Sequence, residues 1–161
     1  MRELPKQTPF ALFGPSEEIF LSFEENDERY AISVKDVSEI YEYESIRQVP
    51  GAPQPIVGLI DVRGKIVTVV NPFNAENART IALVFHEPYH HLGLSVPEKI
   101  GIFISTKENT KTVEQARNTP WIKAVIENKG VFYNLLEKKQ IADYIRLRII
   151  ESFKSQMHTE D

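Results

Sequence analysis

Hydrophobic and polar residues alternate along much of the chain, which is the pattern of a β-strand with one buried face. In EIFLSFE, the residues Ile19, Leu21 and Phe23 share one face. The turn-like ENDE follows, and then RYAIS, in which Tyr30 and Ile32 alternate with smaller or polar residues. These features predict a β-hairpin near the start of the chain.

Runs of strand length that are rich in β-branched residues predict further strands. Turn signals such as Arg63-Gly64 and Asn71-Pro72 separate some of them. The runs are IVGLIDV, KIVTVV, TIALVF, LGLSV and IGIFIS. Before them, VKDVSEIY has Val34, Val37 and Ile40 at helical spacing, which indicates a short helical turn, and YEYESIRQVP is expected to be extended.

A helix is predicted only near the end of the chain, in EKKQIADYIRLRIIESFKSQM. Its apolar residues recur every three or four positions: Ile141, Tyr144, Ile145, Ile149, Phe153 and Met157. The favoured interpretation is a helix that packs on its own domain, and the alternative is a helix that binds a partner.

An internal repeat gives the clearest indication of architecture. At an offset of 66 residues (122 minus 56), IVGLIDVRGKIVTVV aligns without a gap with IKAVIENKGVFYNLL. Each copy reads as strand, glycine-containing turn and strand, with Gly64 and Gly130 able to adopt positive φ. Two copies are too few for a solenoid, so we expect two similar small β subdomains, either closed barrels or sandwiches, that share one core.

Composition limits the classes of function. The chain has 161 residues and a net charge of -4, which disfavours a nucleic-acid partner. It has no cysteine, which excludes disulfides and thiolate chemistry, and it has no apolar run long enough to span a membrane. The first residues lack the apolar core of a signal peptide. We therefore expect a soluble cytoplasmic protein without direct membrane insertion.

One segment, HEPYHH, matches the H-E-x-x-H pattern of zinc hydrolases through His86, Glu87 and His90. Zinc chemistry of this kind needs both histidines on one face of a helix. Pro88 disfavours a helix here, and the flanking runs read as strands. We interpret the segment as a turn and expect no metal or cofactor. A zinc-dependent hydrolase using residues 86–90, with His91 as a possible substitute ligand, is kept as the alternative.

No other catalytic motif is recognisable: G-x-S-x-G, the P-loop and G-x-G-x-x-G are absent. Well-patterned strands without a reaction centre favour a protein that works by binding rather than by catalysis. Arg63 is notable in this respect, because it lies at the turn of an otherwise apolar hairpin, where its guanidinium can bind a carboxylate.

The stretch VPGAPQPIVGLIDVRGKIVTVV, residues 49–70, resembles the signature hairpin of the CheW-like domain family. The residues at the expected positions are Pro50, Pro53, Ile56, Gly58, Ile60, Arg63, Gly64, Ile66 and Val69. The first hairpin, the segment TIALVFHEPYHHLGLSVPEKIGIF and the closing hairpin also resemble the family. The sequence departs from the family pattern at Asp61, where asparagine is usual, and at Thr68, Asn71 and Ala124.

The resemblance implies two small five-stranded β-barrels on a common core, followed by a C-terminal helix. It divides the chain into a loosely ordered segment (1–16), a CheW-like domain of two β subdomains (17–136), and a C-terminal helix and tail (137–161). It also implies a non-catalytic chemotaxis adaptor that joins a chemoreceptor's cytoplasmic tip to the regulatory domain of a CheA-type histidine kinase. A β-barrel module for another cytoplasmic partner is a further alternative.

Five residues match positions that the resemblance assigns to partner binding: Val37, Glu39, Gly58, Arg63 and Gly64. Val37 is expected to supply an apolar contact and Arg63 a charged or hydrogen-bonded anchor. Gly58 is expected to let neighbouring backbone approach closely, and Gly64 to form the signature turn.

Overall fold

The computed structural model describes residues 16–73, 79–112, 119, 121, 122 and 124–158. The predicted N-terminal segment 1–16 lies outside these residues, apart from Ser16. Within the described part, no helix has the length and hydrophobicity needed to cross a membrane.

Eleven strands and one α-helix make up the regular structure of the described residues, together with two short 3₁₀ turns. The strands are β1 (Glu17–Glu25), β2 (Glu28–Ser33), β3 (Val37–Glu42), β4 (Ile56–Val62), β5 (Lys65–Val70), β6 (Ile81–Phe85), β7 (Leu92–Val96), β8 (Gly101–Thr106), β9 (Thr110–Thr112), β10 (Ala124–Asn128) and β11 (Val131–Leu136). The helix is α1 (Lys138–His158). The 3₁₀ turns are Val34–Asp36 and Lys107–Asn109.

The strands form two sheets with the same internal arrangement. The first sheet has the order β8-β1-β2-β11-β10-β9, and the second has the order β3-β6-β7-β5-β4. In each sheet one parallel pair joins two antiparallel groups: β11 with β2 in the first, and β5 with β7 in the second. The fold class predicted from the sequence, mainly β with two small subdomains and a C-terminal helix, is confirmed. The first sheet has six strands, where five were expected, because it includes the three-residue β9.

The edge strands of the second sheet approach each other, so that this sheet curls toward a closed barrel. Arg47, beyond the end of β3, pairs with Leu59 of β4 through two backbone hydrogen bonds of 2.9 and 2.8 Å. The Tyr41 hydroxyl donates to the Asp61 carbonyl at 3.2 Å. In the first sheet, the Ser105 hydroxyl of β8 donates to the Glu127 carbonyl of β10 at 3.2 Å.

Three clusters of buried side chains correspond to this geometry: one belongs to each sheet and one is shared between them. A cluster around Val67 and Val69 belongs to the second sheet, and a cluster around Phe20 and Ile126 belongs to the first. The largest cluster is shared and includes side chains of both sheets and α1. Its members include Leu21, Ile32, Leu83, Leu94, Leu136, Ile141 and Ile145.

The predicted hairpins are confirmed, and the repeat is visible in both copies. The turns of β4–β5 and β10–β11 have nearly the same backbone: φ is 51° and 85° at Arg63 and Gly64, and 51° and 80° at Lys129 and Gly130. Positive φ at both central residues is the conformation that matches the twist of a two-residue hairpin.

The segment VKDVSEIY begins with a short helical turn, as predicted, but the turn does not extend beyond Asp36. Only Val34–Asp36 is helical, with the Ser33 hydroxyl accepting from the Lys35 amide at its start. Val37 and Ile40 belong to β3, because residues of this segment pair with β6. The three-residue spacing of the valines therefore did not reflect a continuing helix.

Candidate partner-binding surface

The β4–β5 turn projects Arg63 from the second subdomain. The Asp61 carboxylate accepts a hydrogen bond from the Gly64 amide at 2.6 Å and so closes the turn. An asparagine side-chain oxygen can accept the same bond. The departure from the family pattern at Asp61 therefore preserves the local structure of the turn.

Arg63 pairs with Glu39 across the two edge strands of the second sheet. The Arg63 Nη2 atom donates to Glu39 Oε1 at 2.7 Å. The Arg63 side chain is 74% exposed, whereas that of Glu39 is 26% exposed. The less exposed carboxylate thus holds one edge of the guanidinium, and the rest of the guanidinium remains accessible to solvent. Curling of the sheet brings together two side chains that are 24 residues apart in the chain.

Val37 lies at the start of the same strand as Glu39. It pairs with Phe85 of β6, and a register irregularity separates it from Glu39. Its side chain is half-buried and packs against the shared core. Only part of Val37 is therefore available to a partner.

Gly58 is buried and lies beneath the surface rather than on it. A Cβ atom at this position would lie 2.6 Å from the Arg47 carbonyl oxygen and 2.7 Å from Cγ1 of Ile46. The absence of a side chain lets the segment that follows β3 pack directly on β4. The five predicted residues therefore divide into the exposed Arg63 and Gly64, the half-buried Val37 and Glu39, and the internal Gly58.

The β6–β7 turn adjoins the Arg63–Glu39 pair, and its position was not predicted from the sequence. Both lie on the wall of a pocket of about 600 Å³, together with Lys65. The turn contributes His86, Glu87 and His90. Its location follows from the pairing of β3 with β6, a long-range contact for which the sequence contains no local signal.

The H-E-x-x-H segment lies entirely in this turn and not on a helix. The amide of Tyr89 donates to the His86 carbonyl at 3.0 Å, which is a turn hydrogen bond. The turn predicted between the two strands is confirmed. Among the residues that the structure describes, no group of three or more histidine, aspartate or glutamate side chains is placed to hold a metal ion. The geometry that the zinc-hydrolase alternative requires is thus not formed by His86 and His90.

The first residue of α1 is anchored beside this turn. The Lys138 amide donates to the Asp36 carboxylate at 3.2 Å, which satisfies one of the free N–H groups of the first helical turn. The Lys138 ammonium donates to the Glu87 carbonyl at 3.0 Å. The helix start, the 3₁₀ turn and the β6–β7 turn therefore hold one another in place next to Val37.

Two buried tyrosines have raised pKa values. Burial raises the pKa of Tyr30 to about 12, and the charges of Glu28 and Glu25 act in the same direction. Burial also raises the pKa of Tyr43, although its hydrogen bond with Ser95 and the charge of Arg79 oppose the change. In both cases burial favours the neutral phenol over the charged phenolate.

The fold agrees with comparisons with known proteins. The family model of the CheW-like domain matches residues 20–145, so the chain belongs to the CheW-like domain family. Among solved structures, it is similar to the scaffolding protein TtCheW from Thermoanaerobacter tengcongensis, with a TM-score of 0.68 and 16% sequence identity. That similarity covers 78% of this chain and 87% of the other. No curated protein matches the sequence.

Proposed function

We propose that this protein is a non-catalytic adaptor of chemotaxis-type signalling that works in the cytoplasm and couples chemoreceptors to a CheA-type histidine kinase. Membership of the CheW-like domain family supports the general role of a signalling scaffold. The similar solved structure is that of a scaffolding protein. The finer assignment, to the receptor tip and to the kinase regulatory domain, rests on the family resemblance.

The observation that carries the proposal is the contact between Arg63 and Glu39, two residues that the family resemblance assigns to partner binding and that are 24 residues apart in the chain. An arginine has five N–H donors, and the contact with Glu39 leaves others on an exposed side chain. A guanidinium held in one orientation loses less entropy when it binds a carboxylate than a free one does. Arg63 is therefore proposed as the charged anchor for a partner carboxylate, with Glu39 as its positioning residue.

The roles proposed for the other three residues follow from how deeply each residue is buried. Val37 offers the exposed part of its side chain as an apolar contact beside Glu39. Gly64 permits the turn that projects Arg63, and Gly58 permits the packing beneath it. Neither glycine is proposed to touch the partner.

The proposal is tested by calorimetric titration of the Arg63→Ala variant against a CheA-type regulatory domain and, separately, against a receptor-tip fragment. We expect the affinity for at least one partner to fall roughly tenfold or more, because arginines are prominent among residues that dominate interfaces. The free energy of unfolding should change by less than about 1 kcal/mol, since exposed ion pairs contribute little to stability.

Lys129→Ala is the matched control, because Lys129 occupies the equivalent turn of the repeat with the same φ of 51°. We expect it to bind like the unsubstituted protein. Equal weakening by both substitutions, or none by Arg63→Ala in a folded sample that binds, would contradict the role given to Arg63. An absence of binding to either partner would instead favour a β-barrel module for another cytoplasmic partner.

A further inference from the structure

Helix α1 has two apolar faces, of which only one is covered. Ile141 and Ile145 are buried in the shared core, and Ile149 packs against it. This agrees with the prediction of a helix packed on its own domain. The second face consists of four exposed side chains, here called the outer stripe: Leu147, Ile150, Phe153 and Met157, which are 53%, 42%, 63% and 75% exposed.

The outer stripe is continuous along the helix. Its members are spaced by three, three and four residues, which places them on neighbouring positions of one face. At about 1.5 Å of rise per residue the stripe is roughly 15 Å long. It begins after residue 145, where the match to the family model ends. The stripe is therefore a feature of this chain that the family assignment does not explain.

We propose that the outer stripe packs against the same stripe of a second copy of the chain, with the two helices antiparallel. A self-complementary contact of this kind has two-fold symmetry, in which each contact occurs twice. With the axis close to Glu151 and Ser152, Ile150 of each copy faces Phe153 of the other. Leu147 of each copy then faces Met157 of the other. All four apolar side chains are thereby covered.

Charges beside the outer stripe favour a second copy of the chain as the partner, and they favour antiparallel helices. Lys154 and Glu151 lie on the same flank, the one next to Leu147. In the antiparallel arrangement, Lys154 of one copy comes level with Glu151 of the other, giving two symmetric ion pairs. In a parallel arrangement the two-fold axis runs along the helices and places this flank of the two copies on opposite sides of the contact, so these ion pairs would not form. Within its own helix, Glu151 accepts from Arg148 at 2.9 Å, an exposed contact that leaves room for a second donor.

The size of the stripe predicts a weak dimer. A large apolar side chain has a surface on the order of 200 Å², so four that are about half exposed offer roughly 400 Å² per copy. The pair would bury about 800 Å², below the 1,200–2,000 Å² of typical stable interfaces. We therefore expect a dissociation constant on the order of tens of micromolar or weaker.

Sedimentation over a range of protein concentrations tests the dimer. The unsubstituted chain should shift from monomer to dimer as concentration rises, whereas Phe153→Glu should remain a monomer. Glutamate is a good helix former, so circular dichroism should show α1 unchanged. Ile102→Glu is the control, because Ile102 is as exposed (70%) but lies on β8; it should dimerise normally. An unsubstituted chain that stays monomeric throughout would overturn the proposal.

The direction of the helices can be tested with single cysteines, because the chain has none. Around the proposed axis, the two copies of position 150 are separated by about 5 Å along the helix axis, and those of position 157 by about 16 Å. A short bifunctional thiol cross-linker should therefore join Ile150→Cys copies and not Met157→Cys copies. Equal yields at both positions would contradict the antiparallel arrangement.

Discussion

At the scale of single residues, a sequence motif can predict which residues matter without revealing how they act. Arg63 and Gly64 stood out because a charged residue and a glycine interrupt an apolar hairpin. The partner of Arg63 could not be predicted, since Glu39 is brought to it only when the sheet curls. For Gly58 a close approach of neighbouring backbone was expected, but the segment that makes it, Ile46 and Arg47, could not be predicted because it is not adjacent in the chain.

The substitution Gly58→Ala should destabilise the protein. Its Cβ would contact the Arg47 carbonyl oxygen at 2.6 Å, and backbone atoms yield less readily than side chains. We expect a loss of about 1–3 kcal/mol in the free energy of unfolding, as for other overpacked sites. Denaturant titration measures this loss, and faster hydrogen exchange at the Leu59 amide would locate it, because that amide donates to Arg47 at 2.8 Å.

Gly64→Ala serves as the comparison for this prediction. A Cβ there meets no atom within 4 Å, but φ is 85°, so the cost is backbone strain of about 1–2 kcal/mol. For Gly64→Ala, hydrogen exchange at the Leu59 amide should become faster only by the amount that the lower free energy of unfolding explains. A Gly58→Ala protein as stable as the unsubstituted one would contradict the packing role of Gly58.

At the scale of elements, periodicity predicted the strands and the helix, but it could not distinguish the faces of the helix. Phe153 and Met157 were grouped with Ile141 and Ile145 on one stripe, and the structure separates them into exposed and buried residues. The reason is that the subdomains cover only the first turns of α1 fully. Hydrophobic spacing indicates where a face is apolar, but not where its covering surface ends.

A buried ion pair joins an element of one sheet to the other. Glu25, at the end of β1, pairs with Arg79, which precedes β6, and both side chains are buried. Arg79 Nη1 also donates to the Ser95 carbonyl of β7 at 3.2 Å. The local sequence, an acidic turn between two strands, contains no sign that Glu25 is buried. Burial of Glu25 was missed because its partner is 54 residues away in the chain.

Replacing one member of this pair should be costly. Glu25→Ala leaves the Arg79 charge buried without a counter-ion, and we expect the free energy of unfolding to fall by about 3–5 kcal/mol. The double variant Glu25→Leu/Arg79→Met should lose much less, because no charge remains buried. Denaturant titration of both variants provides the measurement.

Glu24→Ala is the matched control for this prediction. Glu24 pairs with Arg29 at 3.4 Å, but both side chains are exposed, so the change should be below about 1 kcal/mol. If Glu25→Ala cost no more than Glu24→Ala, the pair would not be a significant link between the sheets.

At the scale of the whole molecule, the repeat extends further than the two aligned hairpins. Strands β3, β4, β5, β6 and β7 occupy the same sheet positions as β8, β10, β11, β1 and β2. The first hairpin of the chain therefore completes the subdomain that contains the last strands. Sequence similarity revealed only the hairpins with the signature turn, since the other strands need only be apolar on the buried faces.

This connectivity makes the two subdomains one structural unit. Strands from both ends of the chain are central to the first sheet, and the shared core joins it to the second. The candidate surface at Arg63 is thus fixed relative to the first subdomain.

The most direct test of the adaptor role is sedimentation of a CheA-type regulatory domain mixed with a receptor-tip fragment from the same cell, with and without this protein. We predict that a species containing all three components forms, and that the two partners do not co-sediment when this protein is omitted. If the partners sediment separately in the presence of the folded protein, the account of this chain as a receptor–kinase adaptor is wrong.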